Sequence, residues 1–197
     1  MTLGGARPES AVPPELPQKR DVGDLQEATW QRTCFFSAPI GEPGTKQRRH
    51  SDVFLDSLVR PAIEALDPGM RVIRADQLPS SLVTASVFEC VLKSRLVIAD
   101  LSFHNANVLH EVGMRHLSAK PFVLISRTDE EIPANLKEIR VVRINTSEVF
   151  EFTQEIEDRR SEIASYAGWA LSPAAENASP VERFSPDYRN PLGSPAA

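Results

Sequence analysis

The sequence predicts a doubly wound α/β domain built on a parallel five-stranded sheet. Apolar strand-like runs alternate along the chain with segments of helical periodicity, a pattern typical of crossover units. The strand runs are almost continuously apolar, as in Leu96–Asp100, which favours strands covered by helices on both faces. At 197 residues the chain is long enough for one domain with a proper core and too short for two of ordinary size.

The first part of the predicted domain contains two strands and two helices. Residues 32–38 form the first predicted strand, and a loop rich in Pro and Gly follows over 39–44. Apolar residues then recur at helical spacing from 53 to 66, where Asp67-Pro68-Gly69 is a strong helix stop. Residues 70–73 are the second predicted strand, and a helix that starts near 80 or 81 reaches 92.

Three strands and two helices complete the prediction. The third strand is Leu96–Asp100 and its helix covers about 108–118; the fourth strand is 121–126. The fifth strand is 139–144, and a closing helix runs from 149 to about 167. We therefore expect the domain at 30–169. Residues 1–29 and 170–197 are rich in Pro, Gly and small or polar residues, which predicts two disordered arms.

Composition narrows the class of protein. A hydrophobic content of 41% and a charged content of 25% are ordinary for a globular protein. The net charge of −5 argues against a general nucleic-acid binder. We also expect no membrane partner, because no apolar run approaches the roughly 20 residues that span a bilayer. The first residues lack the layout of a secretory signal, and Cys34 and Cys90 fall in predicted core elements, so we expect a cytoplasmic protein with reduced thiols.

The most informative stretch contains two carboxylates. Asp100 closes a buried strand, and Glu111 lies on the next helix, in its first turn if Asn107 is the N-cap. Ligands of open parallel sheets bind outside the carboxyl ends of the strands. Two acids that flank one crevice there predict a reaction centre in which both side chains contact one pentose ring. The alternatives are that Asp100 only caps the following loop and that Glu111 only pairs with Arg115 on the helix surface.

Polar residues also end the first two predicted strands. Ser37 ends the first strand, and the loop after it could place backbone amides near a base or ribose. Arg74 and Asp76 follow the second strand, where they either contact ribose or base hydroxyls or pair with each other. These positions are the first group of substrate-binding candidates: Ser37, Pro39, Ile40, Gly41, Arg74 and Asp76.

Several other kinds of site are disfavoured. The chain has neither a Gly-x-Gly-x-x-Gly fingerprint nor a Gly-Lys-Ser/Thr ending, and it has no Gly-x-Ser-x-Gly elbow. His104, His110 and His116 are spaced by six, which is not a one-face helical interval. The sequence therefore predicts neither a metal site nor a bound cofactor.

The motifs resemble those of a known group of proteins. The specific part is Asp100-Leu101-Ser102 followed by Asn105-x-Asn107-Val108-x-x-Glu111-x-Gly113-x-Arg115-His116, and the stretches 37–44, 73–76 and 120–121 add to it. Together they are similar to the nucleoside 2-deoxyribosyltransferase-like superfamily, and more narrowly to its bacterial TIR-like branch. The resemblance spans about residues 32–145.

The resemblance implies a flavodoxin-like domain that acts on the N-glycosidic bond of a nucleoside or nucleotide. Deoxyribosyltransferases use a helix glutamate as the nucleophile, a role that falls on Glu111, and a strand-end aspartate that orients sugar and base, which falls on Asp100. TIR-like relatives use a helix glutamate to cleave nicotinamide adenine dinucleotide (NAD), often as defence effectors. The motif's other polar residues, Asn105, Asn107 and Arg115, complete the predicted substrate-binding set.

The chain departs from the transferases at the first strand, where Ser37-Ala38-Pro39 replaces the usual tyrosine or phenylalanine with its Gly-Pro type loop. Their sugar-reading asparagine, which comes from a neighbouring subunit, has no assignable counterpart. Three functions stay open. The first is an enzyme that hydrolyses or transfers at the N-glycosidic bond of a nucleoside, nucleotide or dinucleotide. The second is a module that binds a nucleotide signal without cleaving it, and the third is a self-assembling interaction domain. The resemblance also implies a homo-oligomer, because pockets in that family are often completed by a second subunit.

Overall fold

The computed structural model of the protein describes residues 29–78, 83–173, 175 and 181, with the backbone alone at 83 and 84. Five strands form one parallel sheet in the order β2-β1-β3-β4-β5. The strands are β1 Thr33–Ser37, β2 Arg71–Arg74, β3 Leu96–Asp100, β4 Phe122–Arg127 and β5 Val141–Ile144. This is the flavodoxin-like order, so the predicted fold class is confirmed. Both predicted arms lie outside the described residues except at 29, 170–173, 175 and 181.

In the part of the chain that the structure describes, five α-helices connect and cover the strands. They are α1 Lys46–Phe54, α2 Arg60–Leu66, α3 Val83–Lys93, α4 Ala106–Leu117 and α5 Val149–Ala170. The first helix begins before the apolar repeat that predicted it, because the Thr45 hydroxyl accepts a hydrogen bond from the Arg48 amide and caps it. None of the described helices is long and apolar enough to cross a membrane.

A π-helical turn, Leu55–Val59, joins α1 to α2. Pro61 lacks the N–H that would bond the Ser57 carbonyl in a regular helix. The side chain of Arg160 on α5 donates its Nε–H to the Ser57 carbonyl at 2.7 Å instead, and the Arg60 amide donates to the Leu55 carbonyl, five residues earlier, as in a π-helix. The irregular turn thus ties the first pair of helices to the last.

The strands show the burial that their places in the sheet require. All five residues of β1 and of β3 are buried, because these central strands have helices on both faces. The edge strands β2 and β5 alternate between buried and more exposed positions. Two hydrophobic clusters cover the sheet: α1, α2 and α5 pack on one face, and α3 and α4 pack on the other.

The order in which the chain connects the strands predicts one crevice at the carboxyl edge of the sheet. The chain leaves β1 toward β2 and leaves β3 toward β4, so the boundary between these two central strands is the switch point of the topology. Their pairing brings Ser37 opposite Ala99 at the carboxyl edge. Ligands of doubly wound sheets bind outside this point. The loops that follow β1 and β3 leave the sheet on either side of this point, and we call them the two walls of the crevice.

Candidate functional site at the carboxyl edge of the sheet

Ser37 and Glu111 meet on the side of the crevice covered by α4. The Ser37 hydroxyl donates a hydrogen bond to Glu111 Oε2 at 2.6 Å, across 74 residues of sequence. Ser37 is the last residue of β1 and is buried, while Glu111 is half-buried. Burial raises the pKa of the Glu111 carboxyl, opposed by the Ser37 hydrogen bond and by the nearby His110. The site therefore holds a carboxylate whose proton affinity is increased and whose position is set by a hydroxyl.

Asp100 has a different partner on the other face of the sheet. Its Oδ2 lies 2.7 Å from His50 Nε2, and its Oδ1 accepts a hydrogen bond from the Ser102 amide at 3.0 Å. Asp100 is fully buried and the His50 side chain is 8% exposed. Because side chains alternate along a strand, Asp100 follows Ile98 toward α1, whereas Ser37 follows Phe35 toward α4.

The structure thus gives each predicted carboxylate its own partner on its own face. The sequence predicted that Asp100 and Glu111 both contact one pentose ring; in the structure the two carboxylates have different hydrogen-bond partners, on opposite faces of the sheet. Of the two, Glu111 is the one that retains exposure. A group that is fully buried and doubly hydrogen-bonded is suited to positioning its neighbours, so the structure favours the predicted alternative in which Asp100 organises the loop.

The loop after β3 has an unusual backbone. Phe103 and His104 have φ values of 63° and 46°, in the left-handed region that non-glycine residues seldom adopt. The Phe103 amide donates to Glu130 Oε2 at 2.5 Å, and the guanidinium of Arg127 lies 4.9 Å from the centre of the Phe103 ring. The loop after β4 therefore supports the loop after β3.

The loop after β1 forms the opposite wall. Pro39 is buried, Ile40 is half-buried and Gly41 is exposed. Gly41 has a φ of 66°, and a Cβ there would lie 2.9 Å from the Thr45 hydroxyl that caps α1. Glycine is therefore required for the loop to close onto the start of the helix. These predicted substrate-binding residues lie at the predicted edge of the sheet.

Arg74 and Asp76 pair with each other, which was one of the two predicted alternatives. The Arg74 guanidinium contacts both Asp76 oxygens, at 2.8 and 2.9 Å, and donates to Asp52 at 2.6 Å and to Ser51 at 2.8 Å. Arg48 of α1 adds a second contact to Asp76 at 2.8 Å. Hydrogen bonding from Arg74 lowers the pKa of the Asp76 carboxyl. This network fastens the end of β2 to α1, and the Arg74 side chain is 3% exposed.

The Asn-x-Asn motif supplies a helix cap. Asn105, not Asn107, is the N-cap of α4: its side chain accepts hydrogen bonds from the Asn107 and Val108 amides. This shift places Glu111 in the second turn of the helix, whereas the sequence predicted the first. Asn107 is exposed on the first turn.

Arg115, predicted to bind substrate, is 1% exposed and lies inside the protein. Its guanidinium donates to the carbonyls of Val91, Ser94, Arg95 and Pro121. The carbonyls of Val91 and Ser94 lie at the C-terminal end of α3, where helix carbonyls lack intrahelical donors. Burial lowers the pKa of the Arg115 guanidinium to about 9. The structure thus gives Arg115 the role of a helix cap.

Sequence reasoning missed three side chains that organise this edge: His50, Arg127 and Glu130. One signal was available for His50, since it precedes Phe54 and Leu58 at the four-residue spacing of one helical stripe, so it had to face the sheet. No comparable pattern marks Arg127 or Glu130, whose contacts depend on where the loop after β4 folds.

The described residues offer little for metal binding or for thiol chemistry. Among the described residues, no group of three or more His, Cys, Asp or Glu side chains is placed to hold a metal ion. Cys34 and Cys90 are free and buried, and burial raises the pKa of each thiol to about 12. Such thiols are poor nucleophiles, because the thiolate is the reactive form.

Comparison with known proteins does not identify a family. No protein-family model matches this chain, and no curated protein matches it. One similar solved structure is the X-ray structure of an oxidoreductase from Corynebacterium diphtheriae, at 17% sequence identity and a TM-score of 0.38. That alignment covers 70% of this chain and 97% of the other chain.

Proposed function

We propose that this protein is a hydrolase or glycosyltransferase that acts on the N-glycosidic bond of a nucleoside, nucleotide or NAD. The observation that carries the proposal is the 2.6 Å contact between Ser37 and Glu111 beside the switch-point crevice. A half-buried carboxylate held by a hydroxyl is the group that such a reaction requires at the sugar. The resemblance of the Glu-x-Gly motif around Glu111 to that of the deoxyribosyltransferases and their TIR-like relatives supports the same assignment.

In the proposed reaction, Glu111 acts on the anomeric carbon of the sugar. Its carboxylate oxygen forms a bond to that carbon while the carbon–nitrogen bond breaks, and the leaving base takes the electron pair. Water then attacks the same carbon and breaks its bond to the Glu111 oxygen, which releases the sugar and regenerates the carboxylate. The proton that water loses passes to the departed base, or to solvent when that base leaves as a neutral group; in a transfer, a second base replaces water and loses its own N–H proton. The Ser37 hydrogen bond favours the ionised carboxylate that the first step needs.

A panel of substrates tests the proposal. The full-length protein is incubated with nucleosides, nucleoside monophosphates and NAD, and free bases are measured by chromatography. We expect base release by the wild type and its loss in Glu111→Gln, which keeps the size and polarity of the side chain. Glu64→Gln, an exposed change on α2, is the matched control and should leave the rate unchanged. Retained turnover in Glu111→Gln would refute the role of Glu111.

A second candidate function is nucleotide binding without cleavage. It is favoured by the burial of Glu111, which raises the pKa of the carboxyl and so increases the share of the protonated form at a given pH; that form donates a hydrogen bond to a ligand but does not attack it. Calorimetric binding of a panel member with no free base after prolonged incubation, across the pH range from 5 to 9, would establish this function in place of the first.

A further inference from the structure

The loop between β3 and α4, residues 101–105, is held in a strained conformation. Phe103 and His104 are consecutive non-glycine residues with φ values of 63° and 46°. Backbone of this kind persists only where the surrounding contacts over-determine it, and it concentrates at functional sites. The contacts that hold the loop should therefore be identifiable, and the loss of an essential one should release it.

One set of contacts comes from the last residue of β4 and from the loop that follows it. Glu130 accepts a hydrogen bond from the Phe103 amide, and the Ser102 hydroxyl accepts one from the Arg127 amide at 3.2 Å. The Arg127 guanidinium lies over the Phe103 ring, and a ring nitrogen of His104 lies 2.8 Å from the Glu131 carbonyl. These contacts hold one side of the loop; the other side faces α1.

On that second side, His50 connects α1 to the loop. Its Nε2 is bonded to Asp100, whose other oxygen accepts the Ser102 amide. The centre of its ring lies 3.9 Å from the centre of the Phe54 ring and 5.0 Å from the centre of the Phe103 ring, which it meets edge-on. The His50 and Asp100 side chains are almost fully removed from water. In such surroundings a hydrogen bond is stronger, and a polar group without its partner is more costly, than at the surface.

We propose that His50 is a positioning residue that holds the β3–α4 loop in its left-handed conformation through Asp100 and Phe103. The loop is one wall of the crevice and ends at Asn105, the cap of the helix that carries Glu111. His50 thus sets the wall and the start of that helix. The consequence for catalysis rests on the proposed function; the consequence for the loop does not.

Amide hydrogen exchange of the full-length protein tests the loop directly. His50→Leu keeps an apolar contact with Phe54 and Phe103 but removes the nitrogen that bonds Asp100, whereas His50→Gln supplies an amide nitrogen in its place. We expect the Ser102 and Phe103 amides to exchange at least tenfold faster in His50→Leu and within threefold of wild type in His50→Gln. Val53→Ala, an exposed change on α1, is the control. Unchanged exchange in His50→Leu would overturn the proposal.

A double variant tests whether strain is what His50 opposes. Asparagine tolerates left-handed backbone better than histidine does. His104→Asn in the His50→Leu background should therefore recover at least threefold of the lost protection, judged against His104→Asn alone, which reports the loss of the contact with the Glu131 carbonyl. Equal exchange in His50→Leu and in the double variant would show that His50→Leu loosens the fold without releasing strain in the loop. That result would overturn the proposal.

The same variants are then assayed for base release. The proposal expects the turnover number to fall at least tenfold in His50→Leu and to return in His50→Gln. If the two variants have the same melting temperature, a merely structural contact would not produce this difference in turnover. A wild type without base release would refute the proposed function and leave the exchange result to decide the role of His50. Wild-type turnover in His50→Leu would refute the link from the loop to Glu111.

Discussion

Replacement of Arg115 separates the role that the sequence predicted from the role that the structure assigns. The guanidinium donates to four backbone carbonyls. One of them, Pro121, retains a second donor in the Val97 amide at 3.2 Å. The Val91 carbonyl does not regain its usual helical donor, because the Arg95 amide bonds Trp30. In Arg115→Met, up to three carbonyls therefore lose a donor.

The expected effect is large for one substitution. A buried carbonyl left without a donor costs roughly 1–3 kcal/mol. Removal of the cation relieves part of its own desolvation, so the lower end applies and the loss is about 3 kcal/mol in the free energy of unfolding. Domains of this size have only about 5–15 kcal/mol in total. Arg115→Lys keeps the charge but not the planar fork, and should lose about half as much.

Urea denaturation at pH 7 measures the effect, with Arg71→Met as the control. Arg71 is exposed on the edge strand β2, where such changes stay within about 0.5 kcal/mol. If Arg115→Met is as stable as Arg71→Met, then Arg115 does not act as a cap for α3. If it is stable and also loses affinity for nucleotides, the substrate-binding role predicted from the sequence is the correct one.

Three further predictions concern the site and its helix. Burial raises the pKa of Glu111 above its ordinary 4.5, so the folded state binds that proton more tightly than the unfolded chain, and ionisation destabilises the fold. Glu111→Gln should thus be more stable than wild type at pH 8, and the difference in the free energy of unfolding should vanish below pH 4.5. Urea titrations at a series of pH values measure it, and a difference that stays constant with pH would contradict the prediction. Ser37→Ala should raise the Glu111 pKa further. If the proposed base release occurs, the acid limb of its pH–rate profile should move to higher pH, and an unmoved limb would show that the hydrogen bond is unimportant. Asn105→Ala should cost about 1 kcal/mol through loss of the α4 cap, measured by thermal unfolding, with Asn107→Ala near neutral as the control.

The fold was predictable because its signals are local. The apolar run of β3, the helical stripe before Asp67-Pro68-Gly69 and the alternation of strands with helices each lie within a short window of sequence. Such windows record whether a segment is buried on one face or on both, and a series of crossover units then leaves few topologies. Element boundaries moved where a cap intervened, as at Thr45 before α1 and at Asn105 before α4.

The sequence alone also located the carboxyl edge of the sheet and the residues that gather there, including Ser37, Asp100 and Glu111. It did not determine which of them meet. Ser37 reaches Glu111 across 74 residues and His50 reaches Asp100 across 50, and both contacts depend on the side-by-side placement of β1 and β3. A residue's face is set by alternation along its own strand, but its partner is set by strand order and register. Only the tertiary structure contains that information, because the free energy of each contact depends on groups that are distant in the chain.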